Sequence, residues 1–121
     1  MEIHVVNPGK KASQINTLHA YKRIARMNDY DIKLIKVQRT FVWHSHPDTD
    51  EMFLAVEGGF DIQLRDKTLT LAQGDMVVIP KGVEHRPVCE NPCTIMLIEP
   101  GGTVNTGDAG GKLTDTEMED I

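Results

Sequence analysis

His44-Ser45-His46-Pro47-Asp48-Thr49-Asp50-Glu51, answered further along by Pro80-Lys81-Gly82-Val83-Glu84-His85, is the stretch on which the reading of this chain turns. Residues two apart on an extended segment project to the same face, so His44 and His46 present two imidazoles to one side. Pro47 to Asp50 allow a turn, after which Met52-Phe53-Leu54-Ala55-Val56 reads as a strand that can aim Glu51 into the same space. A fourth ligand has to come from a distant segment, and the Pro80–Gly82 turn delivers His85. Three imidazoles and one carboxylate are a ligand set for a divalent transition metal in a partly open shell. The candidate metal ligands are therefore His44, His46, Glu51 and His85, drawn from two hairpins. His4 and His19 lie outside the pattern and are read as ordinary surface or core residues.

Outward from these ligands the alternation continues. Tyr21 to Met27 and Ile32 to Val37 form a hairpin across the turn signal Asn28-Asp29. Short strands follow at Thr40–Ser45, Met52–Val56, Phe60–Leu64, Thr68–Leu71, Met76–Ile79, His85–Cys89 and Thr94–Glu99. No helix longer than a turn is legible. The pattern predicts an all-β barrel.

Two spacings carry a family resemblance. His44-x-His46, four residues, Glu51, six residues, Gly58 resembles the first motif of the cupin superfamily; Gly74, five residues, Pro80-x-Gly82, two residues, His85 resembles the second. The fifteen residues between Gly58 and Gly74 suit the shortest cupins. Gln38 stands where the first motif has glycine, and Cys89 where the second ends in asparagine; neither departure removes a ligand. The resemblance covers roughly residues 30 to 100 and implies a single-domain double-stranded β-helix, or jelly roll, like that of small stand-alone cupins. The chain then divides into an N-terminal segment, 1–29, packing on the barrel, the barrel itself, 30–100, and a Gly-rich acidic C-terminal tail, 101–121.

Composition agrees with one compact unit: 121 residues, 40% of them hydrophobic, can build a single core. No run approaches the roughly 18 apolar residues of a membrane span, and the N-terminus lacks the order of a signal peptide, so a cytoplasmic location is expected. The formal charge is −5. Residues 1 to 100 hold 12 basic and 13 acidic groups against 1 and 5 in residues 101 to 121, so the tail is acidic and no basic stripe suits a nucleic-acid backbone. Neither nucleic acid nor membrane is expected as a partner.

Five of the ten glycines fall between Gly101 and Gly111, and Asp115 to Asp120 are mostly acidic. That composition predicts a mobile tail. The alternative, that Gly101 to Thr106 lies across the barrel or a partner subunit, comes from the resemblance to related small cupins. Cys89 and Cys93 flank the turn-like Glu90-Asn91-Pro92; a reducing cytosol argues against a bridge between them. Exposed sheet edges on a small barrel need cover, and a homodimer is expected.

Strand parity with the ligands assigns Val42, Phe53, Ala55 and Pro87 to an apolar pocket wall. Trp43, of opposite phase, is assigned to a hairpin or subunit contact, and Met76 to the core. Arg86 and Gln38 are candidates to reach a substrate oxygen or else face solvent, and which of the pairs Met96/Ile98 and Ile95/Leu97 points inward stays open. Three neutral histidines and one carboxylate around a divalent ion leave a local charge of about +1, which favours an anionic or carbonyl-containing small molecule. Sequence does not choose among iron, manganese, nickel, zinc, cobalt and copper. Two functional classes stay open: a metalloenzyme such as a dioxygenase, isomerase or lyase, and a binding or sensing barrel without turnover. A sugar-phosphate isomerase is a minor third, since only Lys81 and Arg86 lie near enough to hold phosphate. No general acid or base is evident beyond weakly placed Glu84 and Glu57.

Overall fold

A computed structural model describes all residues, 1–121. After a short helix α1 (Pro8–Ala12), capped by the Asn7 side chain, the chain forms strands β1 (Lys22–Met27), β2 (Tyr30–Val37), β3 (Glu51–Glu57), β4 (Phe60–Leu64), β5 (Thr68–Leu71), β6 (Met76–Ile79), β7 (His85–Val88), β8 (Cys93–Pro100) and β9 (Glu119–Asp120). They build a six-stranded sheet in the order β6-β3-β8-β2-β1-β9 and a three-stranded sheet in the order β5-β4-β7. All pairings are antiparallel except β1 with β9. The β1–β2 hairpin turns at Asn28, whose φ of 57° puts it in the left-handed region that asparagine tolerates better than most residues.

The core lies between the sheets. Ile35 and Val37 of β2, Phe53 and Ala55 of β3, Ile95 and Leu97 of β8, and Phe60 and Ile62 of β4 fill it. Ile95 and Leu97 are thus the inward pair of β8. On the outer face of the large sheet, Leu34 and Ile24 pack with Ala12 and Ile15 beside α1, so β2 buries apolar residues on both sides. Met76 is 58% exposed, contrary to its assignment to the core. It lies on the edge strand β6, where alternation sends Val77 and Ile79 inward and leaves Met76 and Val78 outside.

Thr40 to Ser45, expected as a strand, is an irregular segment joined to β7 by single bridges, Thr40 with Val88 and His44 with His85. Phe41 N–H donates to Pro87 O, and His44 and His85 exchange both backbone hydrogen bonds. One extra residue is accommodated between these contacts, a bulge that shifts the side-chain phase.

The tail also differs from expectation. Asn105 and Thr106 are buried, and Ser45 donates from its N–H and its hydroxyl to the carboxylate of Asp108, at 2.8 and 3.1 Å. The strap returns to the sheet as β9, where Lys22 meets Glu119 and Arg23 meets Asp120. Glycine content suggests looseness; positive φ at Gly102, Gly107, Gly110 and Gly111 instead lets the strap turn. At Gly107 a Cβ would stand 2.2 Å from Ser45 O, so only glycine allows this approach. No helix is long and apolar enough to cross a membrane.

Candidate metal centre

Glu51 opens β3, its side chain inward by the same alternation that buries Phe53 and Ala55. His85 opens β7 across the barrel, placed by the turn at Pro80–Gly82, where Asp50 Oδ1 accepts from Lys81 N–H and His46 O accepts from Gly82 N–H. His44 and His46 hang from the bulged segment facing it. All four side chains are buried, and their ligand atoms lie within 4.8 Å of one another. The four residues named from spacing are thus brought together.

Their polarity calls for a cation. Val42 O accepts from His44 Nδ1 at 2.9 Å, and Val83 O accepts from His85 Nδ1 at 2.9 Å. A carbonyl can only accept, so these contacts put the proton of each neutral ring on Nδ1 and turn the Nε2 lone pair inward. His85 Nε2 then lies 3.2 Å from Glu51 Oε1, lone pair against carboxylate. His46 Nε2 is 3.4 Å from the same oxygen, outside hydrogen-bond alignment, and is buried without a partner. A positive ion among these atoms would turn mutual repulsion into coordination, and a cluster of three histidines and one glutamate could bind a divalent metal.

Electrostatics favour the deprotonated set. Burial pulls His44 below the usual imidazole range, outweighing its hydrogen bond to Val42. Burial alone would raise the Glu51 carboxyl, and positive charge or a donated hydrogen on the His46 and His85 side is what holds it well below the usual carboxylate range.

Behind Glu51 lies a polar group that the strand pattern contained but did not announce. Glu99 on β8 and Lys33 on β2 are buried and paired at 2.6 Å. Burial and the neighbouring Glu51 push the Glu99 carboxyl up to about 9, so at neutral pH the two carboxyls share one proton, with Glu51 ionised. Lys33 and Glu99 share inward parity with Ile35 and Leu97, the one signal that could have found them. Burial likewise pushes the Tyr21 phenol up to about 12.

The cavity beside the ligands is lined by Phe41, Phe53, Pro87, Ile35 and Leu97 and edged by Tyr21, Arg39, Glu99 and Asn105. Phe53 and Pro87 are wall residues as expected. Val42 is not, because the bulge gives its place to Phe41, and Ala55 lies deeper in the core. Arg86 donates to Gln63 Oε1 and stacks, with Arg65, on Trp43, while Gln38 donates to Glu90 O; none of them lines the cavity. Trp43 thereby joins the bulged segment to the small sheet, a contact between hairpins. Glu84 pairs with Arg65 on the surface and Glu57 is exposed, and neither lines the cavity. Cys89 and Cys93 are free and buried, sulfurs 3.1 Å apart, off the cavity. His19 Nε2 accepts from Gln38 N–H and His4 is on the surface beside Glu2, both remote from the centre.

A family profile described as "Cupin domain" matches residues 32–99. The chain is 51% identical to a cupin-2 domain containing protein of Shewanella frigidimarina, whose crystal structure superposes with a TM-score of 0.76 over 79% of this chain and 94% of that one. Protein NMB1881 of Neisseria meningitidis is 31% identical, with a TM-score of 0.72 over 81% of this chain and 100% of its own. YdbB of Bacillus subtilis is 38% identical over 76 residues, 62% of this chain and 67% of YdbB.

Proposed function

The chain belongs to the cupin family, and we propose that it holds one divalent transition metal on His44, His46, Glu51 and His85 and there binds, or acts on, a small anionic or carbonyl-containing molecule. The observation that carries this reading is the His85 Nδ1–H locked on Val83 O, which leaves the Nε2 lone pair 3.2 Å from Glu51 Oε1 with no proton between them, while His44 is held in the same tautomer by Val42 O. When bound, such an ion supplies Lewis-acid polarisation of a carbonyl or a lowered pKa for coordinated water. The chain's own residues do the rest. The backbone carbonyls fix the imidazole tautomers; Lys33 and the shared proton of Glu99 neutralise the charge behind Glu51; Phe41, Phe53 and Pro87 keep the ligand's surroundings dry.

The test is elemental analysis of protein purified anaerobically without added metal or a metal-affinity tag, against His44→Ala/His46→Ala. About one ion per chain, lost in the variant, is the expected result; no metal in either, even after reconstitution, would overturn the reading. A binding barrel without turnover is favoured as the second reading by Glu84 and Glu57, which face away from the cavity, and product-free tight ligand binding would identify it. The exposed Met76 and Val78 on the open edge β6 support a homodimer built through that edge. A monomeric mass in light scattering would rule the dimer out. Two free thiols suit a cytoplasmic setting.

A further inference from the structure

Arg39 is a cation on the wall of the cavity that the fold leaves without an anion. Its side chain edges the cavity that contains His44 and Glu51, yet it takes part in no ion pair and donates no hydrogen bond; its Nε is buried without a partner. Lys33, behind Glu51, is by contrast engaged by Glu99. Arg39 is half-buried, and leaving its Nε–H buried without an acceptor costs free energy, of which the face of Phe41, 4.9 Å below Cζ, offsets only about 1 kcal/mol. Phe41 in turn meets His44 edge-on at 5.3 Å between centroids. The guanidinium and the metal ligands therefore flank one aromatic ring and open on the same space.

We propose that Arg39 is a specificity-determining residue that receives the carboxylate of a short ligand whose other end, a carbonyl or hydroxyl oxygen, reaches the His44/His46/Glu51/His85 centre. The proposal rests on the metal reading above and names the class of molecule that centre takes. A planar guanidinium matches a carboxylate, and the Tyr21 phenol on the same rim supplies a further donor. The apolar lining suits a hydrocarbon bridge between the two ends. The cavity, about 40 Å³, admits roughly three waters, so the bridge is short. A single guanidinium with its one neighbouring lysine already neutralised favours a carboxylate over a phosphate.

Calorimetric titration of the metal-loaded protein tests this with three oxo acids, pyruvate, 4-oxopentanoate and 5-oxohexanoate. Each is paired with the methyl ketone that has a methyl in place of the carboxylate: acetone, 2-pentanone and 2-hexanone. At least one acid should bind about tenfold to a hundredfold more tightly than its ketone, the range set by a charge-assisted hydrogen bond. Arg39→Gln should abolish that preference while keeping its metal by elemental analysis; Arg39→Lys should retain part of it. An undiminished preference in a metal-replete Arg39→Gln, or no preference for any acid in the parent, overturns the assignment and leaves the metal reading standing. Tighter binding of inorganic phosphate than of any acid also overturns it. The same titrations on metal-free protein separate the two readings: if the parent takes up no metal, the function proposed above fails, and Arg39 stands or falls on whether the acids still outbind the ketones.

Discussion

The two walls of the barrel hold the centre by different means. On the large sheet, Glu51, Glu99 and Lys33 come from β3, β8 and β2, three neighbouring strands, and their directions follow from alternation alone. The one register shift among these strands, between Ala55 and Glu57, lies at the far end of β3 from Glu51. On the opposite wall, His44 and His46 come from a segment with single bridges, a bulge and a strap laid over it. The carboxylate side is fixed by a ladder of backbone hydrogen bonds; the imidazole side is fixed piece by piece, through Val42 O, Gly82 N–H and the Asp108 carboxylate. Charge buried in a regular sheet is rigid but needs internal neutralisation, whereas ligands on an irregular segment depend on whatever clamps it.

The sheet wall breaks most severely. Lys33→Ala leaves the ionised Glu51 with no cation behind it and should cost about 3–5 kcal/mol in urea unfolding of the metal-free protein near neutral pH. A loss under about 1 kcal/mol in the variant would mean Lys33 is not neutralising that wall. The same wall sets a pH dependence. Glu99, ordinarily near 4.5, sits at about 9 in the fold, so between those values the native state keeps a proton that the unfolded chain releases. Stability of the metal-free protein should fall as pH rises across that window, and Glu99→Gln should flatten the slope. An increase of stability across it in the parent would contradict the shared proton.

On the imidazole wall, His46→Ala should weaken metal binding at least about a hundredfold in a chelator competition, as should Glu51→Ala opposite, while His19→Ala should not. Equal affinity in all three would remove the ligand assignment. Asp108→Ala sharpens the contrast, for it touches no ligand: metal should dissociate about tenfold faster, with little change in unfolding. An unchanged rate would show that the bulged segment holds its shape without the strap. Smallest is Trp43→Ala, which removes the ring between Arg65 and Arg86; about 1 kcal/mol or less in stability and no change in metal affinity are expected.

What is legible in the sequence follows the same division. Phe60–Leu64, Thr68–Leu71 and Met76–Ile79 coincide with β4, β5 and β6, because period-two alternation between turn residues is a strong local signal. All four candidate ligands meet, because motif spacing records the distance along the chain between elements that meet in space. Parity misplaces Val42 because a bulge leaves no mark in composition, and the count breaks at it. Met76 is misplaced because strand order, which makes β6 an edge, is a property of the whole sheet. Lys33, Arg39 and Glu99 read as ordinary strand or loop residues, since charge usually reports solvent, and only the assembled barrel shows them turned inward. The strap is hidden by its glycines, which signal conformational freedom without saying whether the fold uses it.

Ser45 and Asp108 are separated by 63 residues of chain. A ribosome working from the N-terminus exposes His44, His46 and Glu51 long before it has made the residue that clamps the first two, and the β8 strand that supports Glu51 also emerges late. Through most of elongation the nascent chain thus carries imidazoles and a carboxylate with no fixed geometry, able to meet any metal without discriminating among them. On the metal reading proposed above, selection of an ion would belong to the period after residue 108 has been added, when strap and barrel close on the site together.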